Sequence, residues 1–162
     1  MPDPEFSVAM HRYGPARYFE DLAVEERFHI PARTLTEANF AAFQTVSCDN
    51  HPIHYDAEYC RRIGHSGLLA HGLQVLCFTA AGAGIFPHAL GESLIAFLDV
   101  SARFLNPVYA GDTLYPMLVI TELTPQRSTG LVTMRATVHN QKEERVLEGM
   151  HRYLVKRRHP EK

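Results

Sequence analysis

The sequence predicts an α+β fold in which one long buried helix is wrapped by an antiparallel sheet. Two observations carry this. Residues 68–86 (LLAHGLQVLCFTAAGAGIF) are apolar on nearly every helical face apart from Gln74 and Thr79, the pattern of a buried helix. After Pro87 the period changes to two. It is clearest over residues 129–139, where Val132, Met134, Ala136 and Val138 alternate with Thr133, Arg135 and Thr137, as in a sheet with one covered face. The chain has 162 residues, 46% of them hydrophobic and 21% charged, which suits one domain with a real core.

Taken in order, residues 1–16 carry prolines and no periodicity and read as an N-terminal arm, residues 17–157 as the single domain, and residues 158–162 as a polar tail. Residues 27–35 (RFHIPARTL) read as an edge strand interrupted by Pro31. Thr36 then stands as an N-cap before EANFAAFQTV, whose Phe40 and Phe43 recur near helical spacing, so a helix of about three turns should end near Ser47. CDNHPIHYD, residues 48–56, is irregular because Asp, Asn and Pro form turns and Pro52 restricts His51. A short helix fits residues 57–63, and strands fit residues 92–104, 113–123, 129–139 and 145–156, with turns at Asn106-Pro107, Gly111-Asp112, Thr124-Pro125 and Asn140-Gln141. A curved sheet around a central helix is the hot-dog arrangement.

Composition excludes several functions. Sixteen Lys and Arg against eighteen Asp and Glu leave a formal charge of −2, no surplus for binding nucleic acid. The apolar run contains His71, Gln74 and three glycines and falls short of a membrane span of about 20 apolar residues. Three cysteines without a CxxC pair, and an acidic, proline-broken N-terminus unlike a signal peptide, suggest reduced thiols in a cytoplasm.

Two places carry chemistry. Asp49 and His54 stand five residues apart across a proline-stiffened turn, and a carboxylate with an imidazole can exchange the protons needed to add or remove water across a double bond. The plainer alternative has Asp49 bonding nearby backbone and His54 held structurally. His71-Gly72 opens the apolar run, where a free amide and a glycine allow a ligand oxygen to approach; a packing glycine is the alternative. His51, His54, His65 and His71 invite a metal reading, yet ligand pairs on a helix are usually four apart and this loop holds a proline, so no metal is expected. Cys48 and Cys60 lie near histidines and are weak nucleophile candidates.

These residues carry a resemblance. CDNHPIHYD at 48–56, LAHGL at 69–73, RFLNPV at 103–108 and AGDTL at 110–114 resemble, in order and spacing over residues 18–155, the MaoC-like acyl dehydratases, the (R)-specific enoyl-CoA hydratases. The resemblance implies that Asp49 and His54 are catalytic, that Gly72 supplies an oxyanion amide, and that His71 and His51 belong to the substrate site. It also implies reversible hydration of a trans-2-enoyl-CoA, no cofactor beyond the coenzyme A of the substrate, and a homodimer or a higher assembly of dimers. Cys48 stands where the family usually has glycine, and His51 where it often has asparagine. Arg61, Arg62 and Arg103 are candidates for the coenzyme A phosphates. A hot-dog thioesterase and a non-catalytic acyl-CoA-binding subunit are the rivals, and the Asp49–His54 pair favours hydration because hydrolysis needs no proton donor for the α-carbon.

Overall fold

In the computed structural model, which describes residues 3–5 and 7–159, the strands lie close to their expected positions. They are β1 (Arg27–His29), β2 (Arg33–Thr34), β3 (Leu94–Phe104), β4 (Thr113–Pro125), β5 (Thr129–His139) and β6 (Arg145–Lys156). All pairings are antiparallel, in the order β1-β4-β5-β6-β3, with β2 also on β4. Pro31 divides the expected first strand in two, because it cannot donate to the ladder.

The helices are α1 (Glu37–Ser47), α2 (Ala57–Arg62), α3 (Gly72–Cys77) and α4 (Phe86–Leu90). Helix α1 ends at Ser47 as expected, and Thr36 secures its start by donating its N–H and hydroxyl to Asn39 Oδ1 at 2.9 and 2.7 Å. The long central helix is corrected. Residues 68–86 form α3, then a tightened turn in which Thr79 and Ala80 bond back to the carbonyls of Leu76 and Cys77, then a short 3-10 segment (Ala81–Ala83). Gly82 and Gly84 favour no regular conformation, and Pro87 fits only the first turn of the new helix α4. An apolar run marks burial and not continuity.

The sheet's inner face carries the core. Leu118, Ile120, Val132, Met134, Ala136 and Val155 pack with Phe28, Phe86 and Leu90, while Leu114, Val138 and Leu147 pack with Leu35, Phe40, Val75 and Phe78. Burying each large side chain contributes about 1.5–3 kcal/mol. The apolar run's two polar exceptions, Gln74 and Thr79, each meet a buried histidine. Thr79 donates its hydroxyl to Leu76 O at 2.8 Å, so it accepts from His151 Nε2–H at 3.0 Å, and Tyr153 O–H donates to His151 Nδ1 at 2.9 Å. Burial pushes His151 down to about 4, consistent with this neutral chain of donors.

Among the described residues strand β3 pairs on one side only, and it leaves Phe97, Leu98 and Phe104 about half exposed. Among the described residues no helix is long and apolar enough to cross a membrane.

Candidate active site

The loop between α1 and α2 is fixed from both ends. Helix α1 ends on Cys48, whose φ of 58° and ψ of 15° are left-handed, with its N–H donated to Gln44 O at 2.9 Å. This is the helix-terminating position where glycine is usual. Asp49 N–H then bonds Ser47 Oγ at 3.2 Å, and Pro52 begins a 3-10 turn (Pro52–His54) that turns His54 inward.

His54 is buried, and its Nδ1–H donates to Leu69 O at 2.7 Å. That bond selects the tautomer and leaves the Nε2 lone pair free. Nε2 faces Asp49 Oδ2 at 3.8 Å, too long for a direct hydrogen bond and short enough for both atoms to contact one reacting group. Burial is the main reason that the pKa of His54 is lowered, opposed by its bond to Leu69 O. The ring is therefore neutral at pH 7 and can accept a proton. Asp49 keeps an exposed carboxylate, its side chain 54% accessible.

His71 braces this pair. Its ring lies flat on His54, centroids 3.6 Å apart and planes 21° apart, and its Nε2–H donates to Asp49 O at 3.1 Å. Its Nδ1 lies 3.4 Å from the Gln74 side chain, and Phe43 packs against the ring. At 2% exposure, His71 has both ring nitrogens turned to protein groups, and its contacts are with the other residues of the site. His51 is exposed, with Nδ1 accepting from Ile53 N–H at 3.3 Å. Its ring lies 6.4 Å from that of His54 and 5.7 Å from that of Tyr59.

Gly72 follows His71 as the first residue of α3, and its amide has no earlier carbonyl in the helix to bond. It opens on a cavity of about 340 Å³ lined chiefly by Leu69, Val75, Phe104, Leu105 and Val108. A Cβ on Gly72 would lie 3.1 Å from Phe104 Cζ. Glycine here serves close approach and not an unusual backbone angle.

Asp49, His54 and His71 bring possible ligand atoms within 4.8 Å of one another. The two rings are stacked, so their in-plane lone pairs run side by side and do not converge on one ion. Cys60 is buried, its thiol donating to Ile53 O at 3.1 Å, and Cys48 serves the helix end; among the described residues neither is paired with a base. Of the three arginines considered for phosphates, Arg61 pairs with Glu58 and Arg103 with Glu148 at 3.1 Å, whereas Arg62 lies over the Tyr59 ring.

Leu69 O and Asp49 O, the anchors of both histidines, are backbone acceptors that no side-chain pattern reveals. Gln74 and Phe43 left a trace: one is a polar exception in an apolar run, the other repeats Phe40 at helical spacing.

Left-handed backbone at Cys48 costs a side-chain-bearing residue about 1–2 kcal/mol, and glycine's larger freedom in the unfolded chain offsets about 0.5–1 kcal/mol of that gain. Cys48→Gly is expected to raise stability by up to about 1 kcal/mol, a rise in melting temperature of roughly 2–4 °C, with turnover retained. An earlier melt would show that the Cys48 side chain contributes a contact that outweighs its backbone strain.

Comparison with known proteins shows the family and the fold. Residues 20–142 match the family described as MaoC like domain. The chain is 28% identical over 124 residues to an (R)-specific enoyl-CoA hydratase of Rhodospirillum rubrum, covering 74% of this chain and 79% of that one. Among solved structures it resembles the unliganded R-hydratase PhaJ1 of Pseudomonas aeruginosa, with a TM-score of 0.72, 27% identity and coverage of 90% and 86%. It also resembles a Mycobacterium tuberculosis protein described as a double hotdog fold, with a TM-score of 0.72, 27% identity and coverage of 87% of this chain and 44% of that one. The hot-dog architecture and the α+β class follow.

Proposed function

Because the chain belongs to the MaoC-like dehydratase family, we propose that it is a hydro-lyase that adds water reversibly to a trans-2-enoyl-CoA, giving the (R)-3-hydroxyacyl-CoA. The observation that carries the reading is the pair formed by Asp49 Oδ2 and the free Nε2 of His54, 3.8 Å apart beside the Gly72 cavity. In the hydration direction a water held between them loses a proton to Asp49, assisted by His54, as its oxygen bonds to C3. The C2–C3 double bond becomes an enolate, and the Gly72 N–H stabilises the charge on the thioester oxygen. The pair returns one proton to C2, so one water is added and both groups end as they began. Every step is a proton transfer or the making of a C–O bond, and the proposal needs no redox group or metal.

The cavity at Gly72 takes the acyl chain, with Phe104 against its mouth. Two copies of the chain pair through β3, covering its half-exposed Phe97 and Leu98.

A panel of enoyl-CoA thioesters of increasing chain length tests the reading. The expected result is loss of the conjugated double bond's absorbance without release of free thiol, on at least one member. Release of coenzyme A with the double bond intact would make the protein a thioesterase instead.

A further inference from the structure

An outward line of side chains leaves the site at His54. The His51 ring lies 6.4 Å from that of His54, the Tyr59 ring 5.7 Å from that of His51, and the Arg62 guanidinium carbon 5.3 Å from the centre of the Tyr59 ring. Tyr59 and Arg62 are three residues apart on α2, so they share a face, and Asp56 fixes the start of that helix by accepting from Tyr59 N–H at 2.9 Å. Among the described residues Arg62 has no carboxylate partner, whereas Arg61 and Arg103 are neutralised by Glu58 and Glu148. A guanidinium held over an aromatic ring keeps its N–H fork available, and that fork matches two oxygens of a phosphate.

The thioester of a coenzyme A substrate is joined to its first phosphate by a linear pantetheine arm, which must run outward from the catalytic pair. We propose that His51, Tyr59 and Arg62 form the track for this arm, with Arg62 binding the phosphate that terminates it. The inference rests on the hydratase reading and adds the residues that recognise the carrier. The exposed imidazole of His51 and the phenol ring of Tyr59 offer the arm's amides and methylenes a mixed polar and flat apolar surface.

Three thioesters of one enoyl acid separate the possibilities: with coenzyme A, with 4′-phosphopantetheine and with pantetheine, which lacks phosphate. Arg62→Ala is expected to lower kcat/KM for both phosphate-bearing thioesters by roughly tenfold, mainly through KM, so their advantage over the pantetheine thioester shrinks by the same factor. Arg62→Lys should restore part of that advantage, and added salt should erode it in the unmodified protein. Arg33→Ala serves as control, since Arg33 is a cation over Phe78 in a different groove, between α1 and α3. The proposal is overturned if Arg62→Ala leaves the advantage unchanged, if only the full coenzyme A thioester is affected, or if Arg33→Ala produces the loss instead. Failure to hydrate any of the three overturns the hydratase reading and this inference with it, whereas hydration that ignores Arg62 overturns this inference alone. Melting curves on the same samples guard against a role confined to the end of α2, where Arg62 is a cation in the last turn.

Discussion

Asp49→Asn lowers hydration by roughly 10²-fold or more, the scale of a positioned acid or base, and leaves the fold unchanged. The side chain is half exposed and faces His54 Nε2, while the loop is held by backbone groups, Asp49 O to His71 and Asp49 N–H to Ser47. His54→Ala should lose as much rate and also some stability, because Leu69 O loses its donor and His71 its stacking partner; a buried acceptor left alone costs about 1–3 kcal/mol. Rates are therefore compared well below the melting transition. The pH profile supplies a second readout. In the proposed mechanism the neutral form of His54 acts, and burial lowers its pKa, so kcat/KM is expected to fall as pH drops through a value below that of an ordinary histidine. Near-normal turnover in either variant, with unchanged circular dichroism, would remove the mechanism.

Gly72→Val tests the oxyanion donor. An added Cβ would stand 3.1 Å from the Phe104 ring, which is half exposed, so the fold is expected to absorb the change at roughly 1–3 kcal/mol. The substrate has no such freedom. Valine methyl groups beside the first amide of α3 push the thioester oxygen away, and turnover should fall by about 10²-fold or more. A variant that melts much earlier yet turns over normally below its transition would show that Gly72 only packs, and the carbonyl must then be held elsewhere.

How far the sequence can be read depends on what kind of group does the work. Strands β5 and β6 were legible to the residue, because alternation such as Val132, Met134, Ala136 and Val138 is a side-chain signal with one physical cause. Helix α1 was legible through Thr36 and the Phe40–Phe43 spacing. The segment 68–86 was misread as one helix because an apolar face on every side carries no phase information; Gly82 and Gly84 were the available warning. At the site, Asp49, His54 and Gly72 stood out as residue types in a motif. The brace formed by His71 was not apparent, since it acts through the carbonyl of Asp49 and a ring stack between segments seventeen residues apart.

The shortness of α3 has a kinetic consequence. Six residues cannot hold a helix in water, where isolated helices below about 12–15 residues are marginal. This one persists because Val75 is buried among Val138 and Leu147, and because Thr79, just beyond its end, is tied to His151 on the last strand. Gly72 and His71 are therefore expected to settle only once β5 and β6, which begin more than fifty residues later, have paired. In refolding, amide protection in α3 is expected to appear no earlier than protection in the β5–β6 pairing.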